Sequence, residues 1–320
     1  MIDQKGAQRL WQGRSLVSVA DITGEQFEAA LDTARLMKAA SARGDNCYRF
    51  ANPRTLALLF EKPSLRTRVS FEAGMTQLGG AAIHLSSSDI GINSRESSAD
   101  VAAGLSRWVD IIAARVYDHT MLLDLKANAT VPVINALSDM EHPCQTFADL
   151  LTVQEQKGPL GNGLKLAYVG DGNNVLHSLL IACALVGVNV SAACPPSYGP
   201  KAEFLDIAER AGRSSGARVD ALSDPLRAVT GADVVYTDVW TSMGEDATDG
   251  VKRAALEPFR VDRALMAHAA PDAIALHCLP AHPGEEISQE VYQANRKVIF
   301  DQAENRLHTQ KALLSLILAP

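Results

Sequence analysis

At 320 residues the chain is long enough for two domains of ordinary size. Its composition, 47% hydrophobic and 21% charged, suits a soluble globular protein with a substantial core, and a net charge of −7 argues against nucleic acid or an anionic membrane as the main partner. Five scattered cysteines without Cys-x-x-Cys spacing, and an opening Met1-Ile2-Asp3-Gln4-Lys5 with no apolar signal core, predict a cytoplasmic protein with reduced thiols and no membrane span.

Up to about Gly44 the pattern is helical, with Phe27, Leu31, Ala34 and Met37 on one side. Thr55-Leu56-Ala57-Leu58-Leu59-Phe60 is a continuous apolar run, the signature of a buried parallel strand. Pro63-Ser64 then signals a helix start; Phe71, Met75 and Leu78 share one helical face, and Gly79-Gly80 ends it. The alternation continues with strands at 81–85, 111–116 and 131–136 and helices at 98–109 (opened by a serine cap), 120–128 and 144–156. Lys157-Gly158-Pro159-Leu160-Gly161-Asn162-Gly163 is the best boundary candidate. Beyond it, strands are expected near 166–169, 188–193, 218–221, 234–237, 273–276 and 298–300, with a last helix over 304–318. Alternation of this kind predicts an α/β protein with two doubly wound parallel-sheet domains.

The junction after the first strand presents Ser64, Arg66, Thr67 and Arg68 where a strand ends and a helix begins. Unpaired backbone N–H groups, the helix dipole and the two guanidiniums suit an anion, with phosphate the expected ligand. The plainer alternative is an amphipathic helix with solvated arginines in its first turn. The pattern is not a P-loop, because Gly-x-x-x-x-Gly-Lys-Ser/Thr is absent. Arg115 ends a strand, and His142 and Gln145 stand three apart at a helix start, where they could donate to a carbonyl or phosphate. A capping or core-edge role is the plainer reading of His142.

Gly170-Asp171-Gly172-Asn173-Asn174-Val175 fails as a dinucleotide fingerprint, because Val175 replaces the third glycine and Ala193-Cys194-Pro195 ends the next strand without an acid. Its paired amides suit a polar small molecule or a tight turn. Asp238 falls at a strand end, where it could hold an ammonium group. Cys278 closes another strand, as a candidate nucleophile or an inert buried thiol. No His/Cys/Asp/Glu spacing predicts a metal site, and no cofactor is expected.

Taken in order, Ser64-Leu65-Arg66-Thr67-Arg68, Arg115, His142-Pro143-Cys144-Gln145, Gly172-Asn173-Asn174, Asp238-Val239-Trp240, Ser242-Met243-Gly244, His277-Cys278-Leu279-Pro280 and Ala303-Glu304-Asn305-Arg306 resemble the aspartate/ornithine carbamoyltransferase family, end to end. The Ser-Met-Gly and His-Cys-Leu-Pro segments are marks of its ornithine branch. The resemblance implies a carbamoyl phosphate domain over 1–147, joined by a helix at 304–320 that crosses back to it, and an ornithine domain over 148–303. It implies that Ser64, Leu65, Arg66 and Thr67 hold the phosphate, and that Arg115, His142, Gln145 and Arg306 gather round the carbamoyl group. Cys278 and Leu279 would meet the carbamoyl nitrogen and the ornithine side-chain amine. Asn174, Asp238, Ser242 and Met243 would bind the amino-acid end. Arg66, Arg115, His142, Gln145 and Cys278 would be the catalytic set.

The implied reaction gives citrulline and phosphate, in arginine biosynthesis; the alternative is another amine, putrescine or an N-acyl-ornithine. The implied assembly is a homotrimer or a multiple of trimers, with no nucleic-acid or membrane partner. Two departures stand out. Leu65 occupies a common threonine position, and Gly91 stands where a glutamine is usual in a loop, 86–96, that would reach a neighbouring subunit.

Overall fold

The computed structural model describes residues 4–45, 48–86, 95–161, 163–241 and 250–320. The chain divides into two compact units, one of 1–147 with 306–320 and one of 148–305.

In the first unit, helix α1 (Gln4–Trp11) and helix α2 (Gly24–Ala42) precede the sheet. A full capping box starts α2: Thr23 accepts from the Gln26 N–H and the Gln26 side chain accepts from the Thr23 N–H. Phe27, Leu31, Ala34 and Met37 are all buried, as the periodicity predicts. Four parallel strands follow: β1 (Thr55–Phe60), β2 (Ala81–Ser86), β3 (Ile111–Arg115) and β4 (Val133–Leu137), in the order β2-β1-β3-β4. Helix α3 (Leu65–Gln77) joins β1 to β2, and Gly79 ends that connection at φ +79°, a conformation that suits glycine. Helices α4 (Ser98–Leu105) and α5 (His119–Asn128) close one core with Leu59, Ile112 and Ala114. The cap of α4 is Ser97, and the helix stops at Leu105, short of the expected 109. Phe27 stacks on Phe147 at 4.0 Å, in helix α6 (Pro143–Lys157).

In the second unit β5 (Lys165–Val169), β6 (Asn189–Ala193), β7 (Val219–Leu222), β8 (Val234–Thr237) and β9 (Ile274–His277) form a parallel sheet ordered β7-β6-β5-β8-β9. Its connecting helices include α7 (Asn174–Leu185), α8 (Ala202–Ser215), α9 (Pro225–Val229), α10 (Gly250–Leu256) and α11 (Arg263–Met266). Both sheets reverse their direction of growth once, at β1/β3 and at β5/β8. The crevice outside the carboxyl ends of strands at such a reversal is where open α/β sheets bind ligands.

One expected strand is absent. Residues 298–300 lie inside helix α12 (Gln289–Ile317), which begins well before the expected 304. Its buried face carries Ile299, Gln302, Asn305, Arg306 and Thr309, so a reading based on apolar spacing sees only the short Val-Ile-Phe run. Phe300 is exposed, under the Arg296 guanidinium 4.8 Å from its ring centre.

Candidate active site

In the first unit the β1/β3 register sets Phe60 beside Arg115, so the loop after β1 and the end of β3 meet at the reversal point. Ser64 caps α3 with extended backbone (φ −156°) and makes no side-chain bond to the helix, so the cap leaves the first-turn N–H groups to a ligand. Thr67, next in this turn, is buried and its hydroxyl accepts from Arg306 Nη2 at 3.1 Å. The other terminal nitrogen of Arg306 donates to Gln145 Oε1 at 2.6 Å. A contact between residues 161 positions apart thus ties α12 to the first turns of α3 and α6.

Arg115, His142, Gln145 and Arg306 are all buried. Burial holds the His142 imidazole well below its ordinary pKa of 6.5, and the charges of Arg306, Arg115 and Arg66 push it the same way. A neutral imidazole surrounded by three guanidiniums is the result. Lys62 adds a further cation that the sequence reading did not single out. It is buried, its ammonium lies 4.2 Å from the centre of the Tyr117 ring, and burial and then Arg115 lower its pKa. The signal was present, since Lys62 adjoins Pro63-Ser64, but a single lysine at a helix start carries no pattern. Arg68 does not join this group. It pairs with Glu72 at 2.9 Å on the exposed side of α3. Leu65 is 75% exposed, so its side chain fills no pocket and only its backbone is placed to serve the turn.

In the second unit Gly172 lets the loop after β5 approach Gly199-Pro200; a Cβ there would lie 2.3 Å from the Gly199 carbonyl carbon. Asn173, beside the expected Asn174, turns its amide on the acid. It caps α7, accepting from the Val175 and Leu176 N–H groups, and donates to Asp238 Oδ2 at 2.8 Å. Asn174 is the first residue of α7 and half-buried. Asp238, directly after β8, is buried, and its other oxygen accepts from the Val239 N–H at 2.8 Å and the Cys278 thiol at 2.9 Å. All of these donors are uncharged, so the carboxylate is oriented without being neutralised, a setting that attracts a cation. Asp238 is also the first charge, after burial, that raises the Tyr168 hydroxyl well above its ordinary pKa.

Cys278 is half-buried and bonded to Asp238, which sets it apart from Cys144 and Cys194, buried thiols pushed up to about 11 and about 12 chiefly by burial. Leu279 follows it with φ +62°. Ser242, Met243 and the loop residues 87–94, Gly91 among them, lie outside the described residues.

Asp238, His277 and Cys278 bring three ligand-type atoms within 4.8 Å, and so do His282, Glu285 and Glu286. Sequence spacing gave no sign of either group. In the first, both His277 nitrogens already bond, to the Leu279 N–H at 2.9 Å and to Glu286 at 3.1 Å, which leaves the ring no nitrogen for an ion. In the second, Glu285 pairs with Arg253 at 2.8 Å. Among the described residues no helix is long and apolar enough to cross a membrane.

Residues 14–155 match the family described as aspartate/ornithine carbamoyltransferase, carbamoyl-P binding domain, and residues 162–317 match its Asp/Orn binding domain. The chain is 48% identical over 306 residues to an ornithine carbamoyltransferase of Thermococcus kodakarensis, covering 96% of each protein. It is equally similar to an anabolic ornithine carbamoyltransferase of Pyrococcus furiosus, again over 96% of both. The solved structure of the ornithine carbamoyltransferase from Pyrococcus furiosus superposes with a TM-score of 0.92 at 47% identity, over 96% of this chain and 97% of that one. With both domain descriptions matched in order and near-half identity along almost the whole chain, this protein belongs to the aspartate/ornithine carbamoyltransferase family.

Proposed function

We propose that the protein transfers the carbamoyl group of carbamoyl phosphate to the side-chain amine of L-ornithine, releasing L-citrulline and phosphate, as a step in arginine biosynthesis. The observation that carries the reading is the opposite charge of the two switch-point sites, one built from guanidiniums round a neutral imidazole and one from a buried carboxylate. Carbamoyl phosphate is a dianion with a polarisable carbonyl, and ornithine offers an ammonium beside a reactive amine.

On this reading the first unit is the carbamoyl phosphate domain. Ser64, Leu65 (through its backbone), Arg66 and Thr67 hold the phosphate, and Arg115, His142, Gln145 and Arg306 take the carbamoyl group. His142 stays neutral and donates to the carbonyl oxygen without competing for the proton of the attacking amine. As the uncharged amine adds to the carbonyl carbon, negative charge grows on that oxygen. Preorganised donors aimed there lower the barrier by about 3–4 kcal/mol each. The C–O bond to phosphate then breaks, and the departing phosphate is basic enough to accept the proton. The second unit is the ornithine domain: Asn174, Asp238, Ser242 and Met243 serve the amino-acid end, while Cys278 and the Leu279 backbone serve the side-chain amine and the carbamoyl nitrogen.

A homotrimer and cytoplasmic residence complete the proposal. Leu65 and Val69 on α3 and Ile83 on the edge strand β2 are 75%, 52% and 48% exposed, apolar surface of the kind that a neighbouring subunit covers. Light scattering is expected to give three copies or a multiple of three; a monomer would remove this part.

The deciding assay measures citrulline or its analogue from carbamoyl phosphate with L-ornithine, putrescine, N-acetylornithine, N-succinylornithine and aspartate in parallel. Turnover confined to L-ornithine is expected, because an acylated α-nitrogen has no charge for Asp238 to meet. Preference for any other amine would overturn the role given to the second unit.

A further inference from the structure

Glu286 is fully buried, eight residues beyond the Cys278 turn, and nothing in the reaction above uses it. Its place is fixed from behind. Val261 N–H donates to the Glu286 carbonyl at 2.9 Å, Ser288 N–H returns to Val261 at 2.9 Å, and Ile287 enters the core. The carboxylate so held faces His277, the last residue of β9: its Oε1 lies 3.1 Å from His277 Nε2 and also accepts the His282 backbone N–H. On the other side of the ring, Nδ1 accepts the Leu279 N–H at 2.9 Å. A backbone N–H can only donate, so Nδ1 carries no proton and Nε2 must carry it. Glu286, an acceptor on the Nε2 side, fixes that tautomer. A second support fixes the strand end, where the His277 N–H donates to Gln302 Oε1 at 3.1 Å and Gln302 Nε2 donates to Asp149 and to the Tyr236 hydroxyl.

We propose that Glu286 and His277 are positioning residues for the transfer reaction: the carboxylate locks the imidazole in its Nε2–H form, and the ring then holds the Leu279 amide, and with it the Cys278 thiol, in the orientation the substrates meet. Leu279 sits at φ +62°, a region a leucine rarely adopts unaided, so the turn needs a bond that specifies it. With the opposite tautomer, Nδ1–H would face the Leu279 N–H, donor against donor, and the turn would open. The inference rests on the reaction proposed above only for its kinetic arm.

The test combines a spectrum with two variants. In nitrogen-15 labelled protein the His277 resonances, identified by their loss in His277→Gln, are expected to report an unprotonated Nδ1 and a protonated Nε2. Glu286→Gln keeps a carbonyl oxygen for both donors and is expected to hold kcat within about threefold of the parent, because the acceptor survives. Glu286→Leu removes the acceptor. Its kcat should fall roughly 10–100-fold, the usual cost of losing a partner that orients a functional ring, with the KM for carbamoyl phosphate changed less than about threefold. Alkylation of Cys278, followed by peptide mapping, should change rate in Glu286→Leu and not in Glu286→Gln. An imidazolium or an Nδ1–H form in the parent protein overturns the proposal, as does a Glu286→Gln variant that is folded and inactive. If Glu286→Leu does not fold, the parent spectrum and Glu286→Gln still decide. If the protein carbamoylates no ornithine at all, the spectrum and the alkylation rates test the positioning role separately from the function.

Discussion

The first unit gathers Arg66, Arg115 and Arg306 round a neutral His142, whereas the second gathers uncharged donors round Asp238. The backbones are alike at these two places: a parallel sheet, a reversal of strand order, a loop at the carboxyl ends and a helix starting beside it. The fold therefore decides where a ligand goes and says nothing about its charge. Charge is decided by the side chains on the loops. At Arg306 and at Asp238, hydrogen bonds to neutral neighbours fix the direction of the charged group. In the first unit Thr67 and Gln145 aim Arg306; in the second Asn173 and Cys278 aim Asp238.

The harshest way to break this contrast is to discharge the cationic side. Arg306→Met removes the bonds to Gln145 and Thr67 together with one of three positive charges beside His142. Its kcat/KM for carbamoyl phosphate should fall about 10²–10³-fold, the range found when a single preorganised donor is lost. Steady-state kinetics at saturating ornithine measures this, and a loss below tenfold would mean that Arg306 serves α12 and not the ligand. The matching change on the anionic side is Asp238→Asn, which keeps the shape and deletes the charge. A hydrogen bond to a charged partner contributes about 1.5–3 kcal/mol, so the KM for ornithine should rise roughly 10–100-fold while that for carbamoyl phosphate stays within about threefold. Equal effects on both substrates would erase the division of labour.

How much of this was legible beforehand follows the same division. Strand runs such as Thr55–Phe60 and Val234–Thr237 were readable to the residue because buried parallel strands are apolar throughout. Asp238 and Arg115 were readable as standing where a strand stops, and β3 and β8 do end there. Helix α12 starts earlier than its apolar spacing predicts because its buried face is polar, and that polarity is used in hydrogen bonds: Gln302 accepts from the His277 N–H and Arg306 donates to Thr67. Position along the chain also misled where direction around a helix decides. Arg66 and Arg68 look equivalent in the sequence, yet residues two apart in a helical turn point to different sides. The tie between Arg306 and Gln145, and the group Asp238, His277, Cys278, join residues far apart in the chain, and single-sequence spacing holds no trace of them.

A milder probe uses the charge around His142 itself. Its folded-state pKa is depressed, so below about pH 6.5 the unfolded chain takes up a proton that the folded one refuses. Unfolding free energy should therefore hold above pH 6.5 and decline as the pH falls below it, with this residue's share approaching about 1.4 kcal/mol per pH unit until the folded form also protonates. Urea melts from pH 7.5 to 5.5 on the parent and on His142→Gln isolate that share. The parent should lose more stability than the variant, and parallel curves would show that the imidazole is not held neutral by burial and the three arginines.

The smallest effect sharpens the contrast most, because it separates neighbours. Arg68→Ala removes a guanidinium two residues from Arg66, on the same helix. In the structure that group is exposed and paired with Glu72 four residues on, so it lies on the solvated side of α3. Exposed pairs of this spacing contribute about 0.3–0.5 kcal/mol, and helix propensity favours alanine slightly, so the net change in stability should stay within about 0.5 kcal/mol. Kinetic constants for both substrates should move less than about twofold, against losses of tenfold or more for Arg66→Ala assayed beside it. Comparable losses in the two variants would mean that the anion is held by the general positive charge of the first turn. A flat result for Arg68 with a steep one for Arg66 means that one face of the turn carries the recognition, which is what the buried Thr67 and its bond to Arg306 require.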